Sequence, residues 1–450
     1  MKAIFVASAI RRCGGGPGLL LALLVVGVFV VPSRAVEVFI DATRGEIKKI
    51  PIAVYTFNDV LQTPGQSPTE VLKADLRRSL LFDVFELEPL GIKAVVNSKP
   101  PEESIRRAGE AGLAAQVWGL IKPRDPKAKV VEAVMEGTLY DGMRGGEVGR
   151  KLYAGPPQMI RAMVHRLADE LVFHYTGEPG IARSRIAYVS EKNGTKELFL
   201  MDYDGYHPVQ VTYDGSLSLA PSWSPDKRHL AFVTFREGDE TQIHELDLMT
   251  GRRRTLVAFP GLNITPEWSP TGGELAFATT KDGNSEIYKM VRDGKFVRLT
   301  DHRAADLAPA WSPTGREIAF TSDRSGSPQI YLMSAEGTNV RPLTYEDRHG
   351  RYNTAPAWSP KGNWIAYVCR DERSVLKICL IRPDGQQSRR LTTGEGSHES
   401  PSWSADSRHV AFSSTRDGKR NIYIINFDGT GLERLTNNGS FNDDPAWSVP

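Results

Sequence analysis

Three histidines, His302, His349 and His398, precede Trp311, Trp358 and Trp403 by nine, nine and five residues. Imidazoles converging from three loops would offer a metal site or an acid and base pair. Their unequal offsets favour solvated loop residues or partner contacts instead. The acidic run Asp202-Tyr203-Asp204-Gly205 has the flavour of a calcium loop but lacks the downstream Glu such a loop needs, so it reads as a hairpin turn. No Gly-x-Ser-x-Gly, Gly-rich phosphate loop or His-Glu-x-x-His is present, and no Cys or His spacing matches a zinc site. The expectation is a chain with no catalytic residue, no cofactor and no resident metal.

The elements that hold those loops repeat. Trp223, Trp268, Trp311, Trp358, Trp403 and Trp447 recur at spacings of 45, 43, 47, 45 and 44 residues, each in a Pro-x-Trp-Ser segment. A period in the forties made of short β-branched and aromatic runs marks a propeller with four strands per blade. Acidic-Gly turns such as Asp293-Gly294 and Asp428-Gly429 close the hairpins, and a third run ends in Leu-Thr or its equivalent before the loop into the next tryptophan. Six Ile186-type strands and six tryptophan strands pair off only if Trp447 joins residues 186 to 212. The ring is therefore expected to close through the C-terminal strand, with the tryptophans as packing between blades.

Ahead of the ring, residues 1–35 read as a cleavable signal peptide: Lys2, Arg11 and Arg12, an apolar run from Leu19 to Val31, then Ser33-Arg34-Ala35. The run is shorter than the roughly 20 residues that span a membrane. Removing four basic residues turns a balance of 56 Lys and Arg against 54 Asp and Glu into a slight acidic excess, which argues against a nucleic-acid partner. Arg77-Arg78 and Arg252-Arg253-Arg254 read as solvated surface. Residues 36–180 read as an α/β domain, with a capping box at Ser67-Pro68-Thr69-Glu70 opening one helix, Gly177 stopping another, and Glu178-Pro179-Gly180 as linker. Residues 181–450 are the six-bladed propeller, so the fold class is mainly β. Cys369 and Cys379 fall on adjacent antiparallel strands, where a disulfide and a free buried pair both remain open.

The leader, the strand Val36-Glu37-Val38-Phe39-Ile40-Asp41, the α/β domain, the junction Ser184-Arg185-Ile186-Ala187-Tyr188-Val189, Tyr203-Asp204-Gly205-Tyr206 and the Trp-Ser repeats together resemble the TolB family of the Tol-Pal envelope system. The resemblance implies a monomeric periplasmic protein that catalyses nothing and touches membranes only through partners. It implies docking of the peptidoglycan-associated lipoprotein Pal over the propeller mouth, on Asn263, Thr265, His302, Asp306, Arg351, Asn353, His398, Glu399, Asn442 and Asp443 of the loops before the tryptophans. It also implies binding of the inner-membrane protein TolA through Val36, Glu37, Val38, Phe39, Ile40 and Asp41, in support of outer-membrane integrity and cell division. The charged stretch Arg44 to Lys49 departs from the family pattern beside that segment. The competing class is an exported peptidase-like or sugar-cleaving propeller with a histidine and carboxylate site in its channel.

Overall fold

The computed structural model describes residues 49–95, 99–127, 132–192, 194–235, 240–345 and 352–449. The leader, the Val36 to Asp41 segment, His349 and Arg351 lie outside the described residues.

The first part of the described chain is a mixed sheet with helices on both faces. Its elements are β1 (Ile50–Val54), β2 (Asn58–Asp59), α1 (Pro68–Arg78), β3 (Phe82–Phe85), α2 (Glu102–Glu110), β4 (Ala115–Pro123), β5 (Ala133–Asp141), β6 (Glu147–Gly155) and α3 (Ile160–Thr176). The order is β3-β1-β4-β5-β6, with β2 also pairing β4. β1 runs parallel to β3 and β4 and is buried on both faces, so it reads as an unbroken apolar run; β4, β5 and β6 are antiparallel. β6 is an exposed edge whose Glu147, Arg150 and Lys151 discourage pairing with another chain. α1 begins with Pro68 as expected, but no capping box forms. Thr69 instead accepts the Phe57 amide at 2.8 Å, and Glu70 is drawn to Lys73 at 3.3 Å. α3 ends where Gly177 turns left-handed at φ 71° and its amide closes on the Phe173 carbonyl at 2.8 Å.

Six four-stranded antiparallel sheets follow. In the first blade the innermost strand is Asn442–Trp447, the last of the chain, and Trp447 lies opposite Ile186 on Arg185–Lys192. The ring closes as the repeat phase demands. The innermost strands of blades two to six are Ser218–Trp223, Asn263–Trp268, Asp306–Trp311, Asn353–Trp358 and His398–Trp403.

The repeated residues have identifiable jobs. The Thr of each Leu-Thr pair is buried and its hydroxyl accepts an amide from the third strand: Leu198 to Thr212 at 2.8 Å, Ile287 to Thr300 at 2.9 Å, Ile330 to Thr344 at 2.9 Å. That hydroxyl then donates to a carboxylate or amide one residue earlier, as Thr300 does to Glu286 at 2.6 Å and Thr344 to Gln329 at 2.8 Å, which pins the loop leading to the channel. Several tryptophans tie one innermost strand to the blade before it, with Trp223, Trp311 and Trp403 donating to the carbonyls of Ala446, Glu267 and Ala357 at 2.9, 3.1 and 3.0 Å.

The sheet domain and the ring share one core. Leu76, Leu171, Val172 and Ile181 belong to the same apolar cluster as Ile186, Tyr203, Leu435 and Trp447. The Glu178-Pro179-Gly180 stretch is correspondingly no free linker. Glu178 bridges Lys361 at 2.8 Å and Arg408 at 3.1 Å, and a Cβ on Gly180 would stand 2.3 Å from the Asp169 carboxylate.

Candidate interaction surfaces at the channel mouth and the domain seam

Every innermost strand opens on a polar side chain that is almost wholly buried: Ser218, Asn263, Asp306, Asn353, His398 and Asn442. These side chains fasten their strand to the preceding blade, to the loop that leads in, or to their own hairpin. Asn263 donates to the carbonyls of Thr241 and Phe259 at 2.8 and 2.7 Å, Asp306 receives Arg324 at 2.8 Å, and Asn353 donates to Gln329 at 2.7 Å. Asn442 donates to Asn438 at 2.8 Å. His398 stacks on Phe412, ring centres 5.3 Å apart, and its Nε2 meets the Glu395 carbonyl at 3.1 Å. Burial pushes the His398 pKa down to about 4, so the ring is neutral. Five of the residues expected to touch a partner (Asn263, Asp306, Asn353, His398 and Asn442) therefore stand inside the strands and fasten the loops. His398, buried and committed to its own blade, is therefore not the solvated loop residue that its offset favoured.

The partly exposed members are Thr265, His302, Glu399 and Asp443. Glu399 and Asp443, second residues of neighbouring innermost strands, share Arg420 at 2.5 and 3.1 Å. At the same level the other blades present Leu219, Ile264, Leu307 and Thr354, giving the mouth one uncharged arc and one charged arc.

The third residue of each innermost strand is left-handed without being glycine: Ala220, Thr265, Ala308, Ala355, Ser400 and Asp444, with φ between 47° and 53°. The register shifts at each, and a proline without an N–H follows. Such backbone costs about 1 kcal/mol or more per site, which repetition in six blades marks as a designed bend of the strand at the channel. Two carboxyls there hold protons tightly. Burial pushes Glu267 up to about 7 against the Ser222 hydroxyl at 3.1 Å, and burial together with Asp443 pushes Asp444 up to about 6 against Ser400 at 2.8 Å.

A second polar concentration, absent from the sequence reading, lies where α1 and α3 meet the ring. Asp75 of α1 accepts His165 Nδ1 of α3 at 2.7 Å and the Tyr203 hydroxyl at 2.5 Å. Asp204, next in the same turn, is paired with Arg161, stands 3.9 Å from His165 Nε2 and 4.0 Å from Arg78. Arg78 reaches across to Glu433 of the sixth blade at 2.5 Å, and Arg161 lies 3.7 Å over the Tyr206 ring. Burial opposes charge on His165, but its bond to Asp75 prevails and raises its pKa; burial raises that of Asp75 despite the histidine. Asp75, His165 and Asp204 are grouped closely enough to suggest a metal, yet Arg161 already supplies the cation. Arg78 is thus an interdomain tie rather than solvated surface. Arg253 is likewise drawn in, paired with Asp214, whereas Arg254 stays exposed as expected while its guanidinium meets Glu245.

Cys369 and Cys379 are bonded, Cα to Cα 5.9 Å. Cys369 pairs opposite Lys377 and Cys379 opposite Tyr367, so the bridge runs diagonally across the two strands. Among the described residues no helix is long and apolar enough to cross a membrane.

Fold and surfaces define a class: a ring of six blades, closed by its last strand and fused to an α/β domain, offering a charged mouth and a sealed seam. Residues 173–448 match the family model described as the TolB beta propeller domain, and the chain belongs to that family. The crystal structure of TolB from Acinetobacter baumannii is similar over 90% of this chain and 97% of that one, with 28% identity and a TM-score of 0.74. Tol-Pal system protein TolB of Methylobacillus flagellatus is 34% identical over 226 residues, 50% of each chain. That of Anaeromyxobacter dehalogenans is 35% identical over 225 residues, 48% of this chain and 50% of the relative. The chain thus spans about half the length of these curated relatives in the matched regions. The hydrazine synthase of Kuenenia stuttgartiensis, 15% identical over 60% of this chain and 47% of that one at a TM-score of 0.52, shares the fold alone.

Proposed function

We propose that the chain is a non-enzymatic adaptor of a Tol-Pal envelope system, working in the periplasm, where it docks the lipoprotein Pal on the propeller mouth and TolA through residues 36–41. This activity supports outer-membrane integrity and cell division. The observation that carries the reading is the mouth itself: half-buried charges, Glu399, Asp443 and Arg420, held on strands whose loops are fastened by buried polar residues, in a chain that follows a TolB structure over nine-tenths of its length. Rigid presentation of polar groups lowers the ordering cost of docking a partner. The disulfide supports an oxidising compartment, in keeping with export by the leader. The enzyme reading needs a histidine beside a channel carboxylate, and the one histidine of the innermost strands, His398, is held against Phe412.

Tagged mature protein, incubated with detergent-solubilised envelope, is expected to retain a lipoprotein bearing a peptidoglycan-binding domain. Removing residues 36–43 is expected to abolish capture of TolA while Pal binding stays equal or tightens. Loss of both partners on that deletion would contradict the division of labour, and retention of neither by the intact protein would contradict the assignment.

A further inference from the structure

The face of the ring away from the mouth carries its own row of charged positions. Crossing four of the blades from the second-strand alanine (Ala231, Ala319, Ala366 or Ala411) through the third strand to the fourth reaches Arg254, Arg341, Arg389 and Glu433. The other two blades place Val209 and Val297 there. Three of the four charges meet their opposite. Arg254 pairs with Glu245 at 2.5 Å and Arg341 with Glu317 at 3.3 Å, while Glu433 takes Arg78 from the α/β domain at 2.5 Å. In the fifth blade Trp364 stands where the fourth has Glu317, each just before the residue opposite an innermost-strand tryptophan. Arg389 therefore faces an indole where Arg341 faces a carboxylate.

The guanidinium of Arg389 lies 5.6 Å from the Trp364 ring and 4.7 Å from that of Phe427, whose carbonyl it also bonds. A second arginine, Arg382, stands 5.2 Å from the same indole, oriented by the Gln387 side chain at 2.7 Å. The nearby carboxylates serve their own turns: Asp384 accepts the Gln386 amide at 2.9 Å, and Asp428 accepts the amide and hydroxyl of Thr430 at 2.9 and 2.6 Å. Burial lowers the Arg389 pKa in spite of Asp428. Among the described residues neither arginine has a carboxylate within ion-pair distance, and a half-buried cation without one is costly. The site also continues a strip that already holds a carboxylate. Lys361, three residues before Trp364, shares Glu178 with Arg408, and the Arg408 carbonyl accepts the Phe427 amide at 2.7 Å.

We propose that Arg389 and Arg382, flanked by Trp364 and Phe427, form a docking site for a carboxylate side chain on an acidic segment of a partner protein, on the face opposite the mouth. The carboxylate stands to Arg389 as Glu317 stands to Arg341, and the approach of an outside chain repeats what the α/β domain does at Glu433. The forked N–H groups of arginine fit a carboxylate by two-point contact, and arginine beside tryptophan is the pairing that dominates binding energy at protein interfaces. Only two basic groups are offered, with Asp384 and Asp428 beside them, which suits a single side chain and disfavours a densely anionic lipid surface. This surface is separate from the one proposed for Pal and from residues 36–41.

The test uses the intact mature protein, the acetylated and amidated peptide Gly-Asp-Leu-Glu-Gly, its uncharged counterpart Gly-Asn-Leu-Gln-Gly, inorganic phosphate and phosphatidylglycerol vesicles. Binding is read by ligand-observed NMR and by the shift of the Trp364 indole N–H signal, assigned with Trp364→Phe. The acidic peptide is expected to bind about fivefold or more tightly than the uncharged one, and Arg389→Gln to weaken it by a similar factor. Arg420→Glu at the mouth is expected to leave that binding unchanged. Arg382→Gln, which alters only an exposed side chain, is expected to weaken it about threefold, and it decides the matter even if Arg389→Gln does not fold. Equal binding of the two peptides, or affinity unchanged in Arg382→Gln, would overturn the proposal. So would displacement of the peptide by an equal concentration of phosphate, which marks a general anion site, or by the vesicles, which marks a lipid surface. Binding that appears only after residues 36–43 are deleted would assign the site to the chain's own Glu37 and Asp41 and overturn it as well.

Discussion

Two almost inaccessible histidines show how differently the seam and the mouth are built. His165 at the seam faces carboxylates on both nitrogens, Asp75 at 2.7 Å and Asp204 at 3.9 Å, and its pKa is raised. His398 at the mouth faces a carbonyl and a phenyl ring, with Lys377 and Arg416 nearby, and its pKa falls to about 4. One burial, two outcomes: at the seam the carboxylates join segments far apart in sequence and favour the charged ring, whereas at His398 a carbonyl, a phenyl ring and two nearby cations disfavour it. The lesson is that burial alone does not set a histidine's charge: the groups that face its two nitrogens do.

Removing a seam carboxylate should have the largest effect. Asp75→Ala strips His165 and Tyr203 of their partner inside the core, and loss of one member of a buried ionic set costs about 3–5 kcal/mol. Chemical denaturation should register that loss, while the same substitution at the exposed Asp293 should leave stability nearly unchanged.

The next effect separates the two histidines by sign. A pKa lowered on folding means that the unfolded chain binds the proton more readily, so the contribution of His398 is complete above the unfolded value of 6.5 and fades as pH falls toward about 4; it amounts to about 3 kcal/mol. For His165 the folded value is the higher one, so its contribution is present below 6.5 and lost as pH rises through that raised value. Glu267, raised to about 7, follows the same direction, weakening the fold as pH climbs above the ordinary carboxylate range. Histidine ring signals followed by NMR should show His398 titrating well below, and His165 above, the usual value; like-signed shifts would erase the contrast.

A smaller effect tests whether the mouth is strained for a reason. Thr265 holds a β-branched side chain at φ 51°. Glycine there removes the steric conflict and is expected to raise stability by less than about 1 kcal/mol, the backbone freedom of glycine offsetting part of the relief. Thermal melting of Thr265→Gly checks it, and a marked destabilisation would mean that the side chain supports the channel wall.

Much of the ring was readable because its information is local. Tryptophan period, Leu-Thr pairs and acidic-Gly turns lie within one repeat, and the phase of the first and last repeats forced Trp447 onto Ile186. Pro68 and Gly177 marked the start of α1 and the end of α3 just as locally. What could not be read was burial at strand ends. Asn353 and Asn442 look like loop residues because they are polar, and only the register with Cys369 and Ser190 places them inside. The seam was illegible for a different reason: Asp75 meets residues 90 and 128 positions away, and Arg78 meets one 355 away, so no spacing rule links them. The turn Tyr203-Asp204-Gly205-Tyr206 was noticed, but its partners were not. The diagonal of the disulfide depended on a strand register that composition does not fix.

The claim at the centre of this account is that the charged arc of the mouth carries docking while the seam carries the fold. Calorimetric titration of the soluble domain of Pal into the mature protein and into Arg420→Glu decides it. The account predicts at least a 10-fold weaker affinity for the variant with a melting temperature shifted by only a few degrees. An unchanged affinity, with the ring still folded, would contradict it.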